Sequence, residues 1–219
     1  MGRTALIVLA VALLVGSAAA FTRSERLKLA ASPVGKPEFD RRVSPTCDCP
    51  HAKARLSFLL RRPERLVVSV VDSDGGHVAT LADGKDYEAG TVSFRWDGKD
   101  DEGQVAPDGL YRLKVRLEHD RRNILIPKTI LVDTEPPQIR VLQAVTTDEG
   151  VLVRYRTNES VKVRVFSDGD RVAAGSRSSA GIGRITWTPA ESPSGQLTLV
   201  GVDRSGNRSE PVPVSVAVP

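Results

Sequence analysis

Two short stretches of this 219-residue sequence concentrate the side chains that could do chemistry. The first, SPTCDCPHAK, holds both cysteines of the chain, Cys47 and Cys49, followed by His51. Thiolate and imidazole groups are the ligands that zinc and copper favour, although a complete site needs three or four of them. A copper, zinc or redox site at Cys47, Cys49 and His51 is therefore one hypothesis. A small strained disulfide ring, an intermolecular bridge and two free thiols are three further hypotheses.

The second stretch, FRWDGKDDEGQVAPDGLYRLKV, is rich in carboxylates and lies between two alternating segments. A calcium loop brings six or more oxygen ligands to one ion, but this stretch lacks the D-x-D-x-D-G register and contains Lys99. In a second copy of the pattern, TPAESPSG takes its place and has one acid. We therefore predict a solvated turn, with calcium binding as the alternative. The acids concerned are Asp97, Asp100, Asp101, Glu102 and Asp108.

The histidines give no sign of catalysis. His51, His77 and His119 form no H-E-x-x-H motif, and neither G-x-S-x-G nor a glycine-rich phosphate loop occurs. Nothing in the sequence places a nucleophile beside a base. We predict a protein that is not an enzyme and has no catalytic residues.

The segments around both stretches alternate apolar and polar residues. In LYRLKVRL, the apolar side chains from Tyr111 to Leu117 share one face, while Arg112, Lys114 and Arg116 face water. A period of two over this length is typical of a half-buried antiparallel strand. The chain is 5% aromatic, contains 18 glycines and 14 prolines, and has turn sequences such as SDGG and PDG between the alternating segments. An all-β fold is predicted.

The alternating pattern occurs twice. Residues 151–175 parallel residues 55–81, and GIGRITW parallels GTVSFRW, so that Trp187 takes the place of Trp96. Short strands at regular spacing in two copies indicate tandem β-sandwiches of the immunoglobulin type, with each tryptophan in a core. Prolines at 136 and 137 interrupt the alternation between the copies. We predict domains at residues 52–134 and 135–219.

The first residues, MGRTALIVLAVALLVGSAAAF, combine a basic residue, an apolar stretch and small residues, as a secretory signal peptide does. The apolar run is also close to the shortest membrane anchor, about 17 residues. Residues 1–21 are thus predicted to be a leader helix, cleaved or anchoring. Residues 22–51, which carry proline and charge with little periodicity, are predicted to be a short irregular stalk. Both alternatives place the domains outside the cytoplasm, with membrane contact through the N-terminal segment only.

The pattern W-D-G-x-D-x-x-G-x-x-x-P-x-G-x-Y runs through the acidic stretch. With the strand–turn–strand segment before it, residues 52–133 resemble the immunoglobulin-like domain of the flagellar hook-capping (FlgD-type) family. The second copy resembles bacterial immunoglobulin-like modules more loosely. The resemblance implies a bacterial β-sandwich with a scaffolding or binding role, in which the motif residues are structural. They are Trp96, Asp97, Gly98, Asp100, Gly103, Pro107, Gly109 and Tyr111.

A net charge of +4, from 31 basic and 27 acidic residues, indicates no nucleic-acid partner. Basic residues flank TNES and are expected on one side of a hairpin, where they either meet an anionic polymer or lipid or keep the sheet soluble; they are Arg154, Arg156, Lys162 and Arg164. We expect a non-catalytic structural or binding protein of the bacterial cell envelope, with tandem modules that face a protein or glycan partner. A metal- or redox-active envelope protein and a flagellar hook-associated scaffold are the alternatives.

Overall fold

A computed structural model describes residues 2, 12–18, 32–189 and 195–217. Residues 12–18, within the expected leader, are helical. The rest of that leader, apart from residue 2, and the beginning of the expected stalk lie outside the described residues. Among the residues that the structure describes, no helix has the length and apolar character that a membrane crossing needs.

The first domain is a sandwich of two sheets. One sheet has three strands in the order β1-β3-β6, and the other has five in the order β2-β8-β7-β4-β5. All neighbouring strands are antiparallel except β2, which runs parallel to β8. The strands are β1 (Val34–Phe39), β2 (Arg42–Val43), β3 (Ala54–Leu60), β4 (Glu64–Val71), β5 (His77–Tyr87), β6 (Gly90–Trp96), β7 (Gly109–Leu117) and β8 (Arg122–Val132). A short 3-10 turn, Pro50–Ala52, precedes β3.

The core of the first domain lies between its two sheets because inward and outward residues alternate along each strand. In β7, the side chains of Tyr111, Leu113, Val115 and Leu117 are buried. Phe58 from β3 is fully buried and stacks on Phe94 from β6, with ring centroids 5.9 Å apart. The all-β prediction is confirmed, and so is the inward-facing pattern from Tyr111 to Leu117.

The second domain repeats the topology of the first. Its three-stranded sheet has the order β13-β10-β9 and its four-stranded sheet the order β12-β11-β14-β15. The strands are β9 (Ile139–Thr147), β10 (Gly150–Thr157), β11 (Lys162–Ser167), β12 (Asp170–Arg177), β13 (Gly181–Trp187), β14 (Leu197–Val202) and β15 (Val212–Val214). Strands β9, β10 and β13 stand where β1, β3 and β6 stand in the first domain. A second core fills this sandwich, around Val153, Tyr155 and Leu199.

The expected stalk at residues 22–51 is wrong from residue 34 onward. Strand β1 pairs with β3, strand β2 pairs with β8, and Val34 and Val43 are buried in the core of the first domain. The alternation is hidden in the sequence because the register of β1 shifts between Gly35 and Glu38, where Lys36 takes a positive φ of 45°. The first domain therefore begins at β1 and not at residue 52.

Candidate functional site

The carboxylates at the start of the acidic loop hold the loop's own backbone. Asp97 accepts a hydrogen bond from the N–H of Lys99 (3.2 Å). Asp100 Oδ1 accepts two, from the N–H groups of Glu102 (3.1 Å) and Gln104 (2.7 Å). An aspartate that accepts N–H groups two to four residues further on fixes a tight turn. These side chains therefore shape the connection between β6 and β7.

Asp101 binds the loop to strand β5. It accepts hydrogen bonds from the N–H (2.7 Å) and the hydroxyl (3.0 Å) of Thr80, and its Oδ2 lies 2.8 Å from Nε2 of His77. The hydrogen bond from His77 comes first among the interactions that lower the pKa of Asp101, and the N–H of Thr80 comes second. This carboxylate is stabilised in its charged form by neighbours that belong to a different strand.

The grouping of His77, Asp101 and Thr80 differs from a catalytic triad. In a triad, one imidazole nitrogen faces the hydroxyl nucleophile and the other faces the carboxylate. Here Nε2 of His77 contacts both partners, at 3.3 Å from Thr80 Oγ1 and 2.8 Å from Asp101 Oδ2. The hydroxyl itself donates to Asp101. The grouping therefore works as a clamp on the loop, with no activated nucleophile.

The last acid of the loop points elsewhere. Asp108 accepts hydrogen bonds from the N–H (3.0 Å) and the hydroxyl (2.8 Å) of Thr134, at the beginning of the connection between the domains. The loop carboxylates thus diverge to separate partners. Within the described ranges, no group of three or more histidine, cysteine, aspartate or glutamate side chains is arranged to hold a metal ion. The calcium alternative for residues 97–108 does not match this geometry, because a calcium site requires converging oxygens.

The remaining motif residues build the same corner. Trp96 is 2% exposed, lies 5.2 Å from the ring of Tyr111, and donates from Nε1 to the carbonyl of Lys99 (2.8 Å). The hydroxyl of Tyr111 donates to the carbonyl of Pro107 (2.6 Å), and burial, first of all, raises the pKa of this phenol. Strand β7 begins at Gly109. Trp187, at the corresponding place in the second domain, is only half-buried against its core.

Two glycines of the motif are required by the backbone. Gly98 and Gly103 have φ values of +73° and +81°, which residues other than glycine rarely adopt. A Cβ at Gly98 would also lie 2.4 Å from the ring of Pro45. The motif therefore fixes a turn and its packing on the segment before β3, and it carries no reactive group.

The two cysteines are bonded to each other. The Cys47–Cys49 disulfide lies just before the 3-10 turn that contains His51. The carbonyl of His51 accepts the N–H of Ser44 (2.9 Å), and its side chain is exposed. The hypothesis of a copper or zinc site at Cys47, Cys49 and His51 differs from this arrangement, because a disulfide sulfur is not a thiolate ligand. The structure contains the small disulfide ring instead.

The disulfide packs on the second domain. Its sulfurs lie 3.8 Å (Cys49) and 4.0 Å (Cys47) from the carbonyl oxygen of Ser205. A Cβ added to Gly206 would lie 2.3 Å from Sγ of Cys49, and Gly206 has a φ of +95°. Only glycine fits at this contact, because any side chain would push the ring away.

Beneath the disulfide, buried polar side chains connect the domains. Asn207 donates from Nδ2 to the carbonyl of Asp133 (2.9 Å) and accepts the hydroxyl of Ser44 on Oδ1. Ser205 donates to the carboxylate of Asp133 (2.6 Å). Ser44 and Ser205 are fully buried, and Asn207 is 5% exposed. We call this set, with the disulfide and Gly206, the junction.

The turn that presents Asn207 is itself fixed by Asp203. Its Oδ1 accepts the N–H groups of Gly206 (2.6 Å) and Asn207 (2.9 Å), and its Oδ2 accepts the side-chain amide of Asn207 (2.9 Å). This turn lies in the segment VDRSGNRS, and the sequence gives no sign of its contact with the first domain. The turn chemistry is visible in the sequence, but its partners in the first domain lie between 72 and 163 residues away.

Glu159 lies near this junction. Burial is the largest cause that raises the pKa of Glu159, and the carboxylates of Asp203 and Asp133 follow. Arg42, which is 3.9 Å from Asp133, acts in the opposite direction. Several carboxylates therefore lie close together at the junction, and the charged form of Glu159 is destabilised there.

The basic residues around TNES do not share one side. Strand β10, with Arg154 and Arg156, belongs to the three-stranded sheet, whereas β11, with Lys162 and Arg164, belongs to the four-stranded one. The expected single positive face is therefore wrong, because the connection at residues 158–161 crosses from one sheet to the other. The two pairs project outward from opposite faces of the sandwich.

A known family matches part of the first domain. Residues 51–120 match the FlgD Ig-like domain family, which confirms the resemblance on which the sequence interpretation relied. Two curated relatives, each named basal-body rod modification protein FlgD, come from Salmonella typhimurium and Salmonella typhi. Each is 28% identical over 88 residues, which are 40% of this chain and 34% of the relative. The chain thus spans about a third of the length of these relatives.

Similar folds occur among solved structures. The fibronectin(III)-like modules of CbhA from Clostridium thermocellum align with 84% of this chain and 94% of theirs, at 16% identity and a TM-score of 0.43. FlgD from P. aeruginosa aligns with 57% of this chain and 87% of its own, at 22% identity and a TM-score of 0.33. Similarity at this level carries no statement about function.

Proposed function

We propose that this chain is a non-catalytic structural or binding protein of the bacterial cell envelope. It works outside the cytoplasm and presents two joined immunoglobulin-like sandwiches to a protein or glycan partner. In this role the two domains supply broad sheet faces, and the junction holds those faces in one arrangement.

The observation that carries the proposal is the Cys47–Cys49 disulfide packed on Gly206 of the second domain. Disulfides persist in extracellular and periplasmic compartments and are rare in the reducing cytosol. A disulfide placed where two domains meet also favours a scaffold, because it packs on the turn whose Asn207 makes hydrogen bonds to Asp133 and Ser44 of the first domain. The presence of the disulfide supports a location outside the cytoplasm, and its place between the domains supports a scaffold.

The chemistry of the described residues supports a role without catalysis. His77 and Asp101 are engaged in a clamp, and Glu64 accepts the N–H groups of Arg65 and His119. The carboxylates of Asp203 and Asp133 accept hydrogen bonds from Asn207 and Ser205 in the junction. Carboxylates that are already used as acceptors of structural hydrogen bonds are poorly placed to act on a substrate.

A flagellar role is the second candidate. The match of residues 51–120 to the FlgD Ig-like domain family favours it. A family match of one domain leaves the function of the whole chain open, since function is carried by sites on the surface and not by the fold. The envelope role remains our first proposal, because the match leaves the second domain and the junction unexplained.

The proposal is tested by the state of the cysteines in growing cells. The tagged full chain is produced in a bacterium, thiols are trapped with acid, and a maleimide–polyethylene glycol reagent reports free thiols by a shift in gel mobility. We expect no shift before reduction and a shift by two reagents after reduction, with the protein in the envelope or medium fraction.

The Cys47→Ser, Cys49→Ser double variant is the control, because it cannot react under either condition. A chain found in the cytoplasm with both thiols free would overturn the proposed location. A metal assay on the same purified samples also addresses the metal- or redox-active alternative, which requires copper or zinc that the double variant loses.

A further inference from the structure

Four arginines lie on the outer face of the three-stranded sheet of the second domain. They are Arg140 on β9, Arg154 and Arg156 on β10, and Arg184 on β13. All four are exposed, while the residues that alternate with them along β10 and β13, such as Val153, Tyr155 and Ile185, are buried in the core. The four side chains therefore project to the same side.

The pairing of the strands places these arginines next to one another. Arg154 lies directly opposite Arg184, and Arg156 lies directly opposite Arg140. Residues opposite each other in antiparallel strands have Cβ atoms about 5 Å apart, and like charges in such pairs are destabilising. Two like-charged pairs in neighbouring rows therefore destabilise the folded sheet through charge repulsion.

In the part of the chain that the structure describes, no carboxylate relieves this repulsion. The ion pairs among those residues involve other cations: Arg42, Arg55, Arg62, Arg65, His77 and His119. In the two rows, the positions beside the arginines are taken by Ile182, opposite Arg156, and Gln143, opposite Arg154. Among the described residues, these four positive charges therefore have no ion-pair partner, and they lie beside neutral neighbours.

The arginines form a diagonal stripe. Arg184 and Arg154 occupy one row on β13 and β10, and Arg156 and Arg140 occupy the next row on β10 and β9. Neighbouring strands are about 4.8 Å apart, and residues two apart along a strand are separated by about 6.7 Å. The charges therefore cross the sheet along one line over roughly 12 Å. A linear polyanion can contact all four at once.

The surroundings of the stripe argue against other anionic partners. Tyr155 and Trp187, the aromatic residues of these three strands, pack into the core, so the face offers no ring on which bases could stack or that could anchor in a membrane interface. An acidic peptide that adds a strand to a sheet follows the strand direction along an edge. The stripe instead crosses the strands.

We propose that this stripe, Arg140, Arg154, Arg156 and Arg184, binds an acidic polysaccharide. The guanidinium fork pairs with a carboxylate through two hydrogen bonds, and four forks in line suit a chain of carboxylated sugars. The proposal rests on the proposed function, for which it names the partner class as an anionic glycan. It also explains why all four positions hold arginine.

The test compares two double variants with the same change of charge. In the purified full chain, Arg154→Ser with Arg156→Ser removes the middle of the stripe, while Lys162→Ser with Arg164→Ser removes two charges from the opposite sheet. Binding to polygalacturonate is measured by calorimetry at several salt concentrations, with neutral dextran as the control polymer. We expect the first variant to bind at least about tenfold more weakly and the second to bind as the unchanged chain does.

A third variant, Arg154→Lys with Arg156→Lys, keeps the charge and the fold while removing the forks. We expect an intermediate loss of affinity, since lysine is a point charge. Equal loss in the two serine variants, equal binding to dextran, or binding to phosphatidylglycerol vesicles without binding to the polymer would each overturn the proposal. The assay uses purified protein, so a chain that binds the polymer but is found in the cytoplasm contradicts the proposed location and leaves the stripe intact.

Discussion

Aspartates at positions 97, 100, 101 and 108 each accept hydrogen bonds from backbone N–H groups. Most of these hydrogen bonds are exposed, and a hydrogen bond of this kind contributes about 0.5–1.5 kcal/mol net, so each side chain gives the fold of the loop modest support. At the scale of single residues, the same is true of the aromatic pair, because Trp96 and Tyr111 combine packing with hydrogen bonds to loop carbonyls. The chemistry of this corner is structural.

Replacing Trp96 by alanine should destabilise the first domain severely. The substitution leaves a cavity beside Tyr111 and an unpaired carbonyl at Lys99, and such changes typically cost about 3–5 kcal/mol. The free energy of unfolding is measured by urea denaturation followed by circular dichroism. Trp187→Ala serves for comparison, because the half-buried Trp187 should cost less. Unchanged stability of Trp96→Ala would contradict the assignment of Trp96 to the core.

Glu159→Gln should stabilise the protein at neutral pH. Burial and the carboxylates of Asp203 and Asp133 raise the pKa of Glu159, so the folded state binds this proton more tightly than the unfolded chain does. The favourable contribution of Glu159 is therefore complete below its ordinary pKa of 4.5 and is lost as the pH rises through the folded pKa. The variant should have a higher free energy of unfolding at pH 7 and an unchanged one near pH 4.

The exposed Glu149, in the turn before β10, provides the matched control for that measurement. Glu149→Gln should leave the free energy of unfolding nearly unchanged at both pH values. A stabilisation of Glu159→Gln that is equally large at pH 4 would show that loss of charge is not its cause.

At the scale of elements, strands β1 and β2 decide where the first domain begins. Strand β1 covers the edge of β3, and β2 adds a parallel strand beside β8. The second domain has the equivalent of β1 in β9, which pairs with β10 in the same order. The repeated topology makes these strands part of the sandwich and not a spacer before it.

Truncated chains test whether β1 and β2 are part of the sandwich or a spacer before it. A chain that begins at residue 32 should keep the stability of the full protein, whereas a chain that begins at residue 52 should be strongly destabilised and prone to aggregate. The shorter chain exposes the edge of β3 and loses the buried side chains of Val34 and Val43. Thermal unfolding and gel filtration measure both effects. Equal behaviour of the two truncated chains would restore the interpretation of residues 34–51 as a stalk.

At the scale of the whole molecule, the junction determines whether the domains act as one body. Asn207 contacts Asp133 and Ser44 of the first domain through one side chain, and the Cys47–Cys49 disulfide covers the same turn. Buried polar groups that are satisfied across a contact favour one arrangement of the two partners. A molecule with a fixed junction can present the arginine stripe in a constant direction relative to the first domain.

Asn207→Ala should uncouple the domains. It leaves the hydroxyl of Ser44 and the carbonyl of Asp133 without partners, at a cost of about 1–3 kcal/mol for each buried group. In a Trp187→Phe background, fluorescence of Trp96 reports the first domain alone, and circular dichroism reports both. We expect the two signals to unfold together in the parent chain and separately in the Asn207→Ala variant.

Asn158→Ala is the matched control, since the side chain of Asn158 accepts a hydrogen bond from Gln138 within the second domain. It should leave the two unfolding signals coincident. Coincident signals in Asn207→Ala as well would mean that the junction does not couple the domains.

Features that depend on near neighbours in the chain could be predicted from the sequence. Alternation along residues 110–117 indicated β7, and the repeated tryptophan and turn signals indicated two domains of the same kind. Local patterns are sufficient here because the direction of a side chain in a strand depends only on its parity. Strand β1 was not predicted, because its register shift and the positive φ of Lys36 interrupt the alternation of inward and outward side chains.

Contacts between residues that are distant in the sequence became visible in the folded chain alone. The pairing of β10 with β9 and β13 brings four arginines into one stripe: Arg140, Arg154, Arg156 and Arg184. Lys162 and Arg164 are nearer to Arg156 in the sequence than Arg140 and Arg184 are, but they lie on the opposite face. The contact of Cys49 with Gly206 likewise joins two segments that are far apart in the sequence and share no local pattern. The register between strands and the docking of domains are set by packing over the whole molecule, and a single strand's sequence does not contain them.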